Sequence, residues 1–363
     1  MKKHTFVFLD GLRGLAALLV MVAHTNDYFG VWGNRSYLAV DVFFILSGFV
    51  IAHAYEQKLT DGLLSFGGFF RKRIIRLYPM YLLSLALASV LILIGGFIQG
   101  NNILLWTGYT ALLTSLFITR FSSDMLFTLN PPYWSLFYEL IVNFLYAAIA
   151  PFLTTKTLII ILVTSASVLF FSAFNNGHLN IGFGNGIHHY IAGMARSVFG
   201  IMMGVLLYRI RDRLIEKVSY ISPWIPIFVV ISALLIPKTQ SYDFLIDFLI
   251  ITLLFPVSIL IASQFKESRF NSSLLMLGAA SYPLYVIHYP ISKFITTSLD
   301  MIGYKHLISE HAPFTGIALT IFLVILSLLL VKFIEDPVRA WLSTLSMKKL
   351  KSALSLKKQT SAP

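Results

Sequence analysis

The chain alternates between long apolar blocks and short polar loops that carry most of its charged residues. Ten blocks approach the roughly 20 residues that an α-helix needs to cross the hydrocarbon core of a bilayer. They lie at residues 6–28, 38–55, 78–98, 133–153, 157–174, 190–208, 223–236, 244–264, 278–299 and 314–335. The pattern predicts an all-α, polytopic integral membrane protein with about ten transmembrane helices.

Lysine and arginine residues set the predicted orientation. They cluster in the N-terminus, at residues 58–76, 209–217 and 266–269, and in the tail after residue 342. Because cytoplasmic loops carry the excess of positive charge, these clusters share one side only if the chain crosses ten times with both termini in the cytoplasm. We therefore predict one membrane domain, residues 6–341, followed by a basic, disordered cytoplasmic tail, residues 342–363.

A further apolar segment at residues 103–119 does not fit this count. If it crossed the membrane, the later basic loops would lie on the outer side, against the charge rule. We expect it instead to be re-entrant or to lie along the outer surface. Either arrangement requires packing against protein, since backbone polar groups cannot stay unpaired in lipid.

The composition argues against several classes of function. Only 12% of the residues are charged, against about 25% in soluble domains, and 57% are hydrophobic. The net charge of +12 follows the loops, so membrane orientation explains it and nucleic-acid binding gains no support. The chain has no cysteine, which excludes disulfides, thiolate catalysis and cysteine-ligated metal. We expect no metal site.

The first block is the best candidate for a functional site. Charged side chains inside a bilayer cost free energy, so their presence indicates a function or a specific structural role. The block contains Asp10, Arg13 and His24, with Asp27 at its outer end. On a helix, His24 lies about 20° off the face of Arg13 and roughly 16 Å along the axis. These residues form either a structural ion pair and an interhelical hydrogen bond, or a site in which His24 is a general base oriented by Asp27 or another acid.

A basic run precedes the third block and consists of Arg71, Lys72, Arg73 and Arg76. One interpretation is ordinary anchoring at the cytoplasmic surface. The other is a phosphate-binding cluster, because the guanidinium group offers a bidentate fork to phosphate oxygens. A coenzyme A thioester on the cytoplasmic side is a donor that would suit this position.

Six motifs occur in a fixed order along the chain. They are LDGLRGLAA with VAH at 9–24, VDVFFILSGF at 40–49, RIIR at 73–76, YWSLFYE at 133–139, SYPLYVIHYP at 281–290 and EDP at 335–337. Together they resemble the membrane-bound acyltransferase family 3, over residues 6–341. The ten residues between Arg13 and His24 match that family's signature.

The resemblance implies an enzyme that moves an acyl group, commonly acetyl, from a cytoplasmic donor to a sugar hydroxyl. It implies His24 as the catalytic imidazole, Arg13 as its partner, and Arg73 and Arg76, with Arg71, as ligands of acetyl-CoA or another acyl-CoA. The implied acceptor is O-antigen, exopolysaccharide or a lipid-linked glycan. The implied location is the bacterial inner membrane, so the partners are lipid, donor and saccharide.

Other polar residues have two open interpretations. We expect Glu139 at about the depth of His24, where it would bond the imidazole or the acceptor, or serve as a protonated structural bridge. Trp134 is a candidate for stacking on a sugar. Asp10, Ser135 and His288 are candidates for substrate contacts or for structural hydrogen bonds.

Two mechanisms and one rival function remain open from the sequence. His24 either takes the proton of the acceptor hydroxyl during direct transfer, or is itself acylated and relays the group outward. The rival is a transporter or flippase for a glycan or small anionic metabolite, because intramembrane charges also mark substrate pathways.

Overall fold

The structure is a computed structural model that describes residues 6–31, 33–100, 102–119, 124–239, 241–264 and 269–345. Over these residues the chain is helical, with two isolated β-bridges and no strand. The predicted all-α class is confirmed.

Fourteen α-helices follow one another along the described chain. They are α1 (Val7–His24), α2 (Asn26–Phe29), α3 (Ala39–Thr60), α4 (Phe66–Ile98), α5 (Leu104–Ser115), α6 (Tyr133–Ile149), α7 (Thr155–Asn176), α8 (Ile187–Val218), α9 (Trp224–Leu235), α10 (Asp243–Leu249), α11 (Phe255–Ala262), α12 (Asn271–Met301), α13 (His306–Glu310) and α14 (Phe314–Leu330). A π-helical turn, Ile250–Leu254, joins α10 to α11, and another, Val331–Glu335, continues α14.

Nine segments of the described chain are helical, apolar and long enough to cross a bilayer. The tenth predicted crossing is α9, whose 12 residues reach only about 18 Å. It still runs the depth of the bundle. At its start the Trp224 ring packs edge-on against Phe8 at 5.3 Å, and at its end the Arg35 amide donates to Leu234 O at 3.0 Å. Flanking residues therefore extend this short helix into a full crossing.

The basic loops that the structure describes meet at one end of the bundle, which we call the basic end. There Arg209 Nε donates to Glu56 Oε1 at 2.6 Å, and the Arg211 guanidinium lies 5.3 Å from the Phe6 ring centroid. Arg339 lines a cavity together with Arg76 at this same end. The beginning and the end of the described chain therefore share one side, as an even number of crossings requires.

Segment 103–119 does not cross on its own. Helix α5 packs along α4 with Thr107 and Thr110 buried, while Leu105 is 86% exposed. Its last turn is deep, because the Tyr81 hydroxyl donates to Thr114 O at 2.5 Å and Tyr81 lies about 22 Å along α4. The apolar outer face suits lipid, and the threonine face suits protein. Of the two predicted arrangements, the structure has the re-entrant one.

Buried ion pairs hold the loops at the opposite end. Arg35 is fully buried and bonds Asp247 at 2.6 Å and Asp243 at 2.5 Å. Arg196 and Asp41, also fully buried, pair at 2.6 Å. Arg35 faces two carboxylates and Arg196 faces one, so none of these buried charges is isolated. They join the loop before α3 to α10, and α3 to α8.

The tail was predicted to start at residue 342. The last described helical segment runs to Leu345, so residues 342–345 belong to it. Residues 346–363 of the predicted tail lie outside the described residues.

Helices α3 and α8 make close backbone contacts through two glycines. An added Cβ on Gly48 of α3 would overlap the backbone of Ile201 in α8, and one on Gly204 would overlap the backbone of Ile45. Small residues let membrane helices approach this closely. The pairing of α3 with α8 therefore depends on these positions having no side chain.

We expect Gly48→Val to separate α3 from α8 and to destabilise the folded protein. Overpacking of a tight contact costs about 1–3 kcal/mol or more. The measurement is the thermal midpoint and the monodisperse fraction of the purified protein in detergent. Gly108→Val is the matched control, because an added Cβ at Gly108 meets nothing within 4 Å. Equal stability of the two variants would contradict the prediction.

Candidate active site

Two cavities lie along α1 at different depths. The arginine cavity surrounds Arg13 near the basic end and has a volume of about 240 Å³. The histidine cavity surrounds His24 near the opposite end and has a volume of about 200 Å³. The helical rise separates the two residues by roughly 16 Å along the axis. The predicted basic and catalytic residues therefore divide between two places: Arg13, Arg73, Arg76 and Glu139 line the arginine cavity, and His24 and Asp27 line the histidine cavity.

The arginine cavity is bounded by α1, α3, α4, α6, α12 and the segment that follows α14. Its charged lining residues are Arg13, Arg73, Arg76, Glu139, Glu335, Asp336 and Arg339. Of these, Arg339 was not predicted from the sequence to be a site residue. The cationic residues outnumber the acidic ones only slightly, so the pairing among them decides what the cavity attracts.

Arg13 is fixed to its own helix and to α12. Its Nη2 pairs with Asp10 Oδ1 at 2.8 Å and donates to Gly278 O at 2.9 Å, and its Nε donates to Ser281 Oγ at 3.0 Å. The Asp10–Arg13 ion pair matches the structural interpretation of these two residues. The implied partnership of Arg13 with His24 is not a direct contact in the structure.

Arg73 is paired with Glu139 inside the cavity. Arg73 Nη2 lies 2.7 Å from Glu139 Oε1, and Ser47 Oγ donates to the same oxygen at 2.6 Å. Glu139 was expected at about the depth of His24, and the structure corrects this depth. The carboxylate faces the basic end and neutralises one of the arginines.

Glu139 lies closer to the basic end than predicted because of where α6 begins. Tyr133 at its first turn is fully buried, and Asn130 just before it donates to Val286 O at 2.8 Å. Val286 lies two residues before His288, so α6 begins inside the protein and not at the membrane surface. Glu139, six residues further on, then lies about 9 Å closer to the basic end.

Arg76 has no hydrogen-bond or ion-pair partner among the described residues, although it lines the cavity. The positive charges of Arg73, Arg13 and Arg339 act on it, and Glu139 only partly offsets them. A guanidinium that is surrounded by other cations and has no hydrogen-bond partner favours the binding of an anion. The cavity is therefore suited to a phosphate or another anionic group beside Arg76.

Local helix geometry decides which residues of the basic run reach the cavity. Ser65 caps α4 by accepting a hydrogen bond from the Gly68 amide at 3.2 Å, so the whole run is helical. Arg73 and Arg76 are three apart and share a face. Arg71 is on a different face and does not line the cavity, contrary to its implied role in donor binding.

In the histidine cavity, His24 contacts His288 of α12. His288 Nε2 lies 3.3 Å from His24 Nδ1, while His24 Nδ1 lies 2.9 Å from Val20 O and His288 Nδ1 lies 3.1 Å from Leu284 O. His288 is fully buried, whereas His24 is exposed to the cavity. This contact between the two rings was not predicted from the sequence.

The network assigns the tautomers of both rings. A carbonyl oxygen only accepts, so Nδ1 of His24 and Nδ1 of His288 both carry hydrogen. In the neutral ring His288 Nε2 is then unprotonated, and it shares the single Nδ1 hydrogen of His24 with Val20 O, which is the nearer acceptor. This leaves a lone pair on His24 Nε2, and that atom has no partner among the described residues. His24 is therefore arranged as a base with an available nitrogen.

Asp27 lines the histidine cavity but makes no hydrogen bond to His24 among the described residues. The expected three-residue spacing fails because α1 ends at His24. Thr25 has φ −132° and separates α1 from the short α2, which carries Asp27. The structure thus corrects the predicted orienting role, since His288 and the Val20 carbonyl contact the imidazole instead.

Trp134 and Ser135 are both buried, so neither presents an open surface for a sugar. Trp134 is only 7% exposed, and the Arg196 guanidinium carbon lies 5.0 Å from its ring centroid. The structure therefore corrects the suggested stacking of Trp134 on a sugar. Ser135 Oγ lies 2.5 Å from the Tyr285 hydroxyl and lines the arginine cavity.

The two cavities approach each other through α12. Tyr285 lines the arginine cavity, and its ring centroid lies 6.1 Å from that of His288, one helical turn away. His288 in turn contacts His24 in the histidine cavity. Two side chains, Tyr285 and His288, therefore lie between the anion-attracting space and the imidazole. Within the described ranges there is no group of three or more metal-ligating side chains.

Comparison with known proteins gives a consistent result. A family model described as an acyltransferase domain matches residues 6–332. A Rhizobium radiobacter protein named "Protein 2 in picA locus" is 39% identical over 180 residues, which is 46% of this chain and 94% of that protein.

Two further relatives match over shorter segments. A Staphylococcus aureus protein, named provisionally as an O-acetyltransferase, is 30% identical over 97 residues, or 26% of this chain and 15% of that protein. A Bacillus subtilis protein, named provisionally as a peptidoglycan O-acetyltransferase, is 40% identical over 75 residues, or 20% of this chain and 11% of that protein. The chain therefore spans only a small part of these two relatives. No solved structure matches.

Proposed function

The chain belongs to acyltransferase family 3 and is a bacterial membrane acyltransferase, and from this premise we propose that it O-acetylates a cell-envelope saccharide with acyl-CoA as donor. The observation that carries the proposal is the pair of cavities on α1. One is cationic at the basic end, and the other holds a histidine with an available nitrogen. The names of two relatives support acetyl as the group and a hydroxyl as its acceptor.

The arginine cavity supports acyl-CoA as the donor. Arg76 has no partner among the described residues, and Arg339 lies on the same cavity wall, where its Nη1 is 3.1 Å from Glu335 Oε1. Phosphate oxygens would satisfy Arg76 and draw Arg339 from its half-exposed pairing. In the inner membrane with the basic end facing the cytoplasm, this cavity opens to the compartment that holds acyl-CoA.

The chemistry follows from the two nitrogens of His24. Nε2 takes the proton of the acceptor hydroxyl as its oxygen attacks the thioester carbonyl. The new C–O bond forms and the C–S bond breaks, so the products are the ester and the thiolate of coenzyme A, which takes up the proton. Meanwhile the Nδ1 hydrogen of His24 stays shared between Val20 O and His288 Nε2, and both acceptors stabilise the transient positive charge on the imidazole.

In the relay mechanism, His24 Nε2 attacks the thioester first and carries the acyl group to the acceptor. The same available nitrogen and the same neighbours serve both routes. The transporter alternative gains nothing from the family assignment, because transport requires no acyl transfer.

The test is transfer of label from radiolabelled acetyl-CoA in membranes that express the protein. The expected product is a saccharide whose label is released by mild base, because an acetyl ester is base-labile. Membranes that lack the protein are the control. Label that moves across the membrane without becoming covalently bound would support transport and overturn the proposal.

We expect His288→Phe to lower kcat about 10- to 100-fold, because a hydrogen bond to a charged group is worth about 1.5–3 kcal/mol. The KM for acyl-CoA should stay unchanged, since His288 does not line the arginine cavity. His306→Phe is the control, as His306 is exposed on α13. The measurement is steady-state transfer, and a change in KM without a change in kcat would contradict a positioning role.

A further inference from the structure

The arginine cavity is elongated and extends from the basic end towards the histidine cavity. Along α12 its lining runs from Gly278 to Tyr285, which is roughly 10 Å of helix. Its outer part contains Arg76 and the other cations, whereas Ser135 and Tyr285 line its inner end. A donor that enters at the basic end would therefore carry its thioester, at the tip of the pantetheine arm, towards these two hydroxyl groups.

The ring of Tyr285 closes the inner end of the arginine cavity. Tyr285 is only 5% exposed, and its ring centroid lies 5.4 Å from that of Phe43 and 6.1 Å from that of His288. On its other side His288 contacts His24. His288 does not line the arginine cavity, so Tyr285 is the side chain of this wall that the donor would meet first.

The proposed reaction requires this wall to open. A carbonyl carbon and its attacking atom react only when they come within about 3–3.5 Å of each other. The donor would approach through the arginine cavity, whereas His24 Nε2 belongs to the histidine cavity. The requirement holds for direct transfer and for the relay alike. Tyr285 or His288 must therefore move during each turnover.

The hydrogen bonds favour Tyr285 as the side chain that moves. His288 is fully buried, and both of its ring nitrogens have partners. The Tyr285 hydroxyl lies 2.5 Å from Ser135 Oγ and 3.0 Å from Pro132 O, and Ser135 Oγ lies 3.2 Å from the same carbonyl oxygen. These three contacts share two hydroxyl hydrogens. When Tyr285 leaves, Ser135 can still donate to Pro132 O, so no buried carbonyl loses its only partner.

We propose, on the basis of the proposed function, that Tyr285 is a gate between the donor and acceptor cavities. The gate is closed at rest and opens when the thioester reaches it. Ser135 then takes over the hydrogen bond to Pro132 O, and the Tyr285 ring turns out of the wall. Between turnovers the closed ring separates the thioester from water that enters the histidine cavity, which prevents hydrolysis of the donor.

The absence of cysteine from the chain allows a direct test of the gate. Ser292→Cys places a single thiol in the histidine cavity, which Ser292 lines. The probe is a membrane-impermeant, anionic methanethiosulfonate, applied to sealed vesicles in which the basic end faces outward. We expect labelling to be about 2- to 10-fold faster with Tyr285→Phe, because the hydrogen bonds of the hydroxyl are lost. With Tyr285→Ala, which removes the ring, it should be at least about tenfold faster, because a closed state that dominates at rest is abolished.

Tyr282→Ala is the matched control in the same Ser292→Cys background. It also removes a tyrosine ring of α12 from the lining of the arginine cavity, but the Tyr282 hydroxyl donates to Leu77 O, and its ring does not contact His288 within the described part of the chain. Equal labelling rates with and without the changes at Tyr285 would overturn the gate. The same acceleration by Tyr282→Ala would also overturn it. The thermal midpoint verifies folding, and Tyr285→Phe keeps the ring, so the test does not depend on the larger deletion.

Hydrolysis of acetyl-CoA without acceptor gives a second readout. A thiol reagent detects the released coenzyme A without background from the protein, because the chain has no cysteine. We expect Tyr285→Ala to release it at least about tenfold faster than the wild type, since the open state is a minor one at rest. Normal acetyl transfer by the wild type, with hydrolysis and labelling unaffected by Tyr285→Ala, would overturn the gate and leave the proposed function standing. Faster labelling of Tyr285→Ala, with no use of acetyl-CoA by any form, would contradict the proposed function alone, because Tyr285 would still separate the two cavities.

Discussion

His24→Ala is expected to lower the rate of acyl transfer about 100- to 10,000-fold, the range that a general base contributes. The loss follows from removal of Nε2, the imidazole nitrogen left free by the hydrogen bonds of His24 to Val20 and His288. Folding should be little affected, because His24 is exposed to its cavity. The measurement is initial rate with saturating acetyl-CoA in proteoliposomes, with the thermal midpoint recorded in parallel.

His306→Ala provides the control for this experiment, since it removes an exposed imidazole from another element. Normal transfer by His24→Ala would show that the base is elsewhere. The two mechanisms also separate here. Incubation with labelled acetyl-CoA in the absence of acceptor should leave the wild type unlabelled if transfer is direct, and should label it through His24 if the group is relayed.

Arg76→Ala is expected to raise the KM for acyl-CoA about 10- to 100-fold, since a hydrogen bond to a charged group is worth about 1.5–3 kcal/mol. Arg76 lines the arginine cavity without a partner of its own among the described residues. Removing it should therefore cost donor affinity without exposing an unpaired acid. Arg76→Lys should recover only part of the affinity, because an ammonium group lacks the guanidinium fork. The measurement is KM in a titration of acetyl-CoA.

Arg71→Ala is the matched control, because it removes the same type of residue from the same run of sequence. Arg71 does not line the cavity, so its loss should change the KM little. Arg339→Ala should resemble Arg76→Ala, since Arg339 does line it. A larger effect of Arg71→Ala than of Arg76→Ala would mean that the basic run acts by surface attraction and not through the cavity.

The pattern of apolar residues was sufficient to predict the membrane-protein class and the positions of the transmembrane helices. A charged or unpaired polar group in lipid is costly, so the spans had to be written as continuous apolar blocks and the basic loops had to lie on one side. The ordered motifs added the family, which the match over residues 6–332 confirms. These features are local in sequence and do not depend on how the helices pack.

Predictions of which side chains contact each other were wrong where they assumed regular helices that start at the membrane surface. The break at Thr25 displaced Asp27 from the imidazole. The buried start of α6 moved Glu139 to Arg73. Both errors came from extending an ideal helix past a point where side-chain and backbone packing ended it or began it.

The contact between His24 and His288 could have been predicted from the positions of the two histidines within their helices. Helix α1 begins at Val7 and α12 at Asn271, so both histidines lie seventeen residues into parallel helices and reach the same depth. The predicted span began at residue 278 because the polar first turn of α12 hid its true start. With the correct start, depth counting alone would have brought the two rings to one level.

The membrane class and the family could be predicted from the sequence, because they depend on solvation cost and on short motifs. Helix packing, in contrast, places Arg73 beside Glu139 while Arg76 has no partner among the described residues, brings His288 against His24, and puts Tyr285 between the arginine cavity and His288. These facts depend on which faces of distant helices meet. That choice is made by side-chain packing across hundreds of residues of chain, which no local pattern encodes.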